Sequence, residues 1–175
     1  MHQVSRSLGL ICSDLFREPL FLLGLGIKIL LIIFLLPIIQ DNWFVPFIIN
    51  WIESPLSSPW TSHMDAGGDL LAFPYGITMF IFHLPTTALG WIADQVIEVE
   101  YFSSFGFRFS LLLADFILLL VLIQAYEGFW KKIILFYWLS PLVLFITYWH
   151  GQTDIIPVAL VLYSLDRLYR INKQT

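Results

Sequence analysis

The sequence predicts an all-α integral membrane protein: about four crossings, plus one re-entrant or interfacial helix that stays in a long outer loop. Three observations carry this. Of 175 residues, 58% are hydrophobic and only 13% charged, where a soluble domain has roughly 25% charged and about 45–50% apolar residues. Apolar runs at Pro19–Ile39, Phe109–Ala125, Ile133–Trp149 and from Ile155 onward are separated by short polar stretches. Finally, no Lys or Arg occurs from Ile29 to Phe107, although Asp41, Glu53, Asp65, Asp69, Asp94, Glu98 and Glu100 all fall there. Cytoplasmic loops carry the Lys and Arg excess, so this stretch is expected on the outer side.

Residues 1–18 mix Arg6, Asp14, Arg17 and Glu18 with Leu, Ile and Phe, as an interfacial lead-in does. The apolar run that follows is too long for the core of a cleaved signal peptide. The lone Cys12 has no partner for an internal disulfide, and an apolar setting leaves such a thiol inert. Residues 19–39 form the first crossing, since about 20 apolar residues span a bilayer. Lys28 in its middle is expected to snorkel or to face other helices.

Residues 40–107 read as an outer loop, rich in Trp and Pro up to Phe73. Within it, Tyr75–Ile92 is apolar but interrupted at His83-Leu84-Pro85-Thr86-Thr87, and a break near Pro85 is expected. If that segment crossed, a base-free loop would be cytoplasmic, while Lys131, Lys132 and the Arg167/Arg170/Lys173 tail would lie outside. A non-crossing helix near 75–92 removes all three conflicts. Residues 108–126 then run inward as the second crossing, 133–149 outward as the third, and 154–171 inward as the fourth, with Arg167 and Arg170 snorkelling. The whole of 1–175 is one membrane domain, with both termini cytoplasmic, in a plasma or inner membrane.

Three polar places stand out. Asp41 ends the first crossing, where the helix dipole disfavours a carboxylate. His150-Gly151-Gln152-Thr153-Asp154 lies between two uncharged runs. His150 and Asp154 are one helical turn apart and could share a face, and Thr153 or Asp154 could cap the next helix. Arg108 and Asp115 are seven apart, on one face of the second crossing. Asp115 at that depth needs a partner, either Lys28 or a hydroxyl, whereas Arg108 could grip a phosphate in bidentate fashion. Asp41, Asp65, Asp69, His150 and Asp154 could supply ligands to a divalent metal, but no spacing among them is a metal signature.

The order of these features resembles the GT-C membrane glycosyltransferases, which take sugar from a polyprenyl-phosphate donor on the outer or lumenal side. The resemblance runs from about Pro19 to Leu165. Asp41 ends the first helix and opens a long loop, and Phe73-Pro74-Tyr75-Gly76 resembles the step that closes that loop in the GPI-anchor mannosyltransferase. Arg108-Phe109-Ser110 with Asp115 resembles the family's second helix. Leu139-Ser140-Pro141-Leu142 followed by His150-Gly151-Gln152-Thr153-Asp154 resembles its third helix and the turn after it. The chain departs from the family in two ways: it has no Asp-x-Asp in the first loop, and it stops where the family continues with many more helices.

The resemblance implies the amino-terminal module of a hexosyltransferase, with Asp41 as catalytic base. Arg108 would hold the donor phosphate, and His150, Gln152, Asp154 and Tyr75 would bind substrate. The implied partners are a polyprenyl-phosphate-linked sugar, a lipid or glycan acceptor, the membrane, and a second chain supplying the remaining helices. No nucleic acid is implied and no cofactor is fixed, a divalent metal remaining open. A non-catalytic membrane subunit or remnant, using the same polar groups to bind a partner membrane protein, remains the alternative. A small transporter would be expected to show an inverted repeat, and none is visible.

Overall fold

A computed structural model describes residues 8–172. They are mostly helical, with no β-strand among the described residues. In chain order the helices are α1 (Leu8–Leu15), α2 (Pro19–Phe34), α3 (Val45–Glu53, entered through a wide π turn at Gln40–Phe44), α4 (Pro59–Asp65), α5 (Ile77–Ile97) and α6 (Phe102–Ala125). They continue with α7 (Trp130–Ile133, widening to a π turn at Ile134–Trp138), α8 (Pro141–Val143, widening at Leu144–Trp149) and α9 (Ile155–Asn172). Of the expected lead-in, Leu8–Leu15 form α1, and residues 1–7 lie outside the described part.

Four elements run side by side in alternating directions around α6. α2 is antiparallel to α6: Phe21 lies against Phe116, Lys28 against Asp115, and the Ile33 carbonyl accepts from the Tyr101 hydroxyl at 2.8 Å. The bent α7–α8 rod returns along both, and Trp138 donates to the Phe21 carbonyl at 3.0 Å. α9 then runs parallel to α6, and Arg170 donates to the Gln124 carbonyl at 2.8 Å near the end of both helices. The end at which α2 stops and α6 starts is called here the upper end.

Among the described residues, α6 alone is by length and composition long and apolar enough to cross a bilayer. The pair Trp130–Trp138 and Pro141–Trp149 passes as one span broken by a 41° bend, and Pro19–Phe34 is apolar but shorter. Pro37 explains that shorter length. The first helix stops at Phe34, not Ile39, since proline cannot continue the hydrogen-bond ladder and disfavours the α conformation just before it. Ser140-Pro141 breaks the third run in the same way.

Two expectations for the outer loop are corrected. Residues 40–73 are not mainly loop: α3 and α4 fold there, α4 beginning at Ser58, whose hydroxyl accepts from the Thr61 N–H at 3.2 Å. α5 does not break near Pro85 but continues through it to Ile97. The Thr87 hydroxyl donates to the His83 carbonyl at 2.9 Å, and the Thr86 hydroxyl to the same oxygen at 3.3 Å. The carbonyl that Pro85 leaves without an N–H partner is that of Ile81, four residues earlier, so these bonds do not replace the lost one.

α5 and α6 form a tight antiparallel hairpin. A Cβ at Gly90 would meet the Phe102 carbonyl oxygen at 2.0 Å, and one at Gly106 would meet the Thr86 carbonyl oxygen at 2.1 Å. Small residues let two backbones approach this closely. Gly106→Ala is therefore expected to cost about 1–3 kcal/mol, the usual range for overpacking. The same change at Gly26, with open space around it, is expected to be neutral. Thermal unfolding of the two variants in bilayer discs checks this.

Asp94 closes the hairpin. Its carboxylate accepts from the N–H groups of Tyr101, Phe102 and Ser103 at 2.7–3.0 Å, and from the Ser103 hydroxyl. These are the orphan donors at the start of α6. Burial alone would raise the Asp94 carboxyl, but the bonds from Ser103, Phe102 and Tyr101 outweigh it and hold it below its ordinary 3.8. Since the native value is depressed, the stabilisation is complete above the ordinary value and is lost as pH falls through the native one. Asp94→Ala is expected to cost up to about 2 kcal/mol at neutral pH. Melting curves should show the gap to wild type closing below about pH 3.8.

Candidate functional site at the upper end

Because α2 ends early, the Leu35 carbonyl has no helical partner ahead of it. Arg108, six residues into α6, takes that carbonyl with Nη1 and the Ser104 carbonyl with Nε at 2.9 Å. Its Nη2 is buried and finds no hydrogen-bond partner among the described residues. Two of the three guanidinium nitrogens are thus held by main chain, and one remains. The expected bidentate grip is corrected to a single available nitrogen.

The chain then turns at Pro37 and enters the π turn. There the Gln40 side chain donates to the Gly151 carbonyl at 2.9 Å, joining the end of the first run to the turn that follows Trp149. Gly151 has φ +86, and a Cβ there would lie 2.7 Å from the Pro37 Cβ. Only glycine combines that backbone with that approach. Asp41 follows Gln40 directly. Its Oδ1 is buried without a partner among the described residues, and its charge is felt at Arg108.

The positive φ at Gly151 divides the His150–Asp154 stretch. Residues 150–153 are not helical, so His150 and Asp154 do not share a helix face as expected. Both are exposed, and Gln152, half-buried, lies 3.3 Å from His150 Nδ1. Thr153 is 0% exposed and its hydroxyl finds no partner among the described residues, so it does not cap α9. The first turn of α9 is closed by main chain instead, the Ile156 N–H donating to the Thr153 carbonyl at 3.1 Å. Tyr75 sits edge-on to Phe44 and Phe73 with centroids 5.6 and 5.4 Å away, in an aromatic cluster that reaches Phe107 beside Arg108.

The upper end therefore gathers four buried polar atoms without partners: Gln40 Oε1, Asp41 Oδ1, Arg108 Nη2 and the Thr153 hydroxyl. Gln40 is 1% and Arg108 3% exposed. An unmade buried hydrogen bond costs about 1–3 kcal/mol, so such a set has room for hydrogen bonds to water or to a bound molecule. Two acceptors, one cationic donor and one hydroxyl suit a molecule carrying both hydroxyl groups and an anionic oxygen. Gln40 and Thr153 were not among the site residues expected from sequence. The only prior signal for Gln40 was its place beside Asp41, and Thr153 was read as a helix cap.

A second polar cluster lies deeper. Lys28 and Asp115, both 0% exposed, form an ion pair between α2 and α6. Asp115 also accepts from the hydroxyls of Tyr137 and Tyr148, each at 2.6 Å. The Lys28 ammonium lies 3.6 Å from the Trp138 ring centroid, where the ring face attracts a cation. Asp115 thus has both partners expected of it, the lysine and a hydroxyl, while Lys28 is wholly buried and does not snorkel. Among the described residues no three His, Cys, Asp or Glu side chains converge as a metal group, so Asp41, Asp65, Asp69, His150 and Asp154 are not assembled as one. No family model, no curated protein and no solved structure matches the chain.

Proposed function

We propose that this chain is the amino-terminal module of a membrane glycosyltransferase of the GT-C kind, moving a sugar from a polyprenyl-phosphate donor to a lipid or glycan acceptor on the outer face. One observation carries the reading: Asp41 Oδ1 and Arg108 Nη2 are buried without partners among the described residues, the Asp41 charge is felt at Arg108, and the neighbouring Gln40 is bonded to the Gly151 turn. In this account α2, α6, the α7–α8 rod and α9 cross the bilayer, the upper end faces outward, and both chain ends are cytoplasmic. α5 projects with the start of α6 as an outer hairpin.

Asp41 takes the proton of the acceptor hydroxyl as that oxygen attacks the anomeric carbon. The bond from that carbon to the phosphate oxygen breaks, and polyprenyl phosphate leaves with the electron pair. Arg108 Nη2 and the Thr153 hydroxyl stabilise the charge on the departing phosphate, where preorganised donors act most strongly. Gln40 Oε1 accepts from a sugar hydroxyl. His150, Gln152 and Asp154, on the outer surface of the turn, meet the acceptor or a second chain.

The test is a transfer assay in membranes, with a labelled polyprenyl-phosphate sugar, run with and without the product of the adjacent coding sequence. Label reaching a lipid or glycan in either arm is the expected result. A second reading, a non-catalytic subunit, is favoured by the exposure of His150 and Asp154, which suits an interface. It would be supported by transfer that the partner performs equally well without this chain.

A further inference from the structure

The transfer step described above makes no use of the Lys28–Asp115 cluster, yet that cluster is the most completely buried set of charges among the described residues. Its placement is informative. Tyr137 lies in the last turn before Ser140-Pro141 and Tyr148 in the turn after it, on the two sides of the 41° bend. Pro141 brings no N–H to the junction, so the main chain alone holds the angle weakly. Both phenols nevertheless donate to one carboxylate. The first half is fixed a second time, by Trp138 against Lys28 and the Phe21 carbonyl. The second half carries Tyr148, three residues before Gly151, which receives the bond from Gln40.

We propose that Asp115 is a positioning residue: by accepting from Tyr137 and Tyr148 it sets the bend of the α7–α8 rod and so seats the Gly151–Thr153 turn against Gln40. A carboxylate is suited to this, because hydrogen bonds to an ionised acceptor are short and strong and two oxygens serve three donors. Lys28 supplies the counter-charge beside that carboxylate, and the brace needs no ligand. Removing the Tyr148 hydroxyl frees the upper half of the rod while leaving the α2–α6 contact in place. The effect on transfer rests on the glycosyltransferase reading, but the geometry of the brace does not.

The experiment is pulsed electron resonance on nitroxide pairs in bilayer discs, in a Cys12→Ser background. One pair, Ile38→Cys with His150→Cys, reports the upper end; the other, Leu30→Cys with Leu113→Cys, reports α2 against α6. All four sites are exposed. Without further change each pair should give one narrow distance. In Tyr148→Phe, and in Lys28→Met/Asp115→Leu as a second variant that keeps the interior apolar, the upper pair should lose its single narrow distance while the other pair keeps it. In the transfer assay Tyr148→Phe should lower kcat, because the displaced Thr153 hydroxyl acts on the departing phosphate. An upper pair that stays narrow in both variants overturns the proposal. So does equal broadening of both pairs, which would mean general loosening. Absent transfer with the expected distances would count against the enzymatic reading alone.

Discussion

Asp115→Ala is expected to destabilise the bundle by about 3–5 kcal/mol, the cost of leaving a buried charge without its partner. The Lys28 ammonium would keep its burial and lose its counter-charge, and two phenols would lose their acceptor. Lys28→Met should cost less, because Tyr137 and Tyr148 still donate to the carboxylate. Lys28→Met/Asp115→Leu should recover much of the loss, since well-packed apolar groups often replace a buried pair at little cost. Asp115→Leu as a single change, Lys28→Met, the double variant and wild type form a double-mutant cycle, read by denaturation in detergent. Strict additivity of the two single changes would contradict a direct pair between α2 and α6.

Asp41→Asn is expected to abolish transfer, by at least the 10²–10⁴-fold that general base catalysis typically contributes, with the fold and donor binding unchanged. The substitution keeps size and shape, and Asp41 Oδ1 has no hydrogen bond among the described residues to lose. The change still removes a charge that the buried Arg108 feels, so a stability loss of up to about 1–3 kcal/mol, the range for buried polar groups, is expected. The checks are the transfer rate and a separate donor-binding titration. Full transfer in Asp41→Asn would remove the base from this residue while leaving the polar upper end in place.

Much of the helical order was legible because apolar runs, charge placement and Pro positions act locally. The helix-face argument from Arg108 to Asp115 worked because both lie within one uninterrupted helix, α6. The same argument failed from His150 to Asp154, where the left-handed Gly151 ends any helical spacing. Pro85 misled because close packing of α5 on α6, at Gly90 and Gly106, accompanies a helix that continues through it. Those glycines read as neutral in sequence and acquire meaning only when a second backbone lies against them. Tyr137 and Tyr148 could not be paired in advance. Eleven residues apart in a straight helix they would share a face, but Ser140-Pro141 intervenes, and only the bend decides whether both reach Asp115. Arg108 was read from the right residue type with the wrong valence, since the free Leu35 carbonyl that occupies it follows from Pro37, far away in sequence.

The whole account requires the upper end of the bundle to face outward, and one measurement tests that directly. Single cysteines are placed at Glu98, Asp154 and Lys132, in a Cys12→Ser background, in intact cells exposed to a membrane-impermeant maleimide. Glu98 and Asp154 are exposed in the structure, as is Lys132 near the opposite end of the bundle; Asp94, at the hairpin turn, is buried and unsuited to labelling. The account expects Glu98→Cys and Asp154→Cys to label without permeabilisation, and Lys132→Cys to label only after it. Protection of Glu98→Cys and Asp154→Cys in intact cells, or labelling of all three from outside, would contradict it.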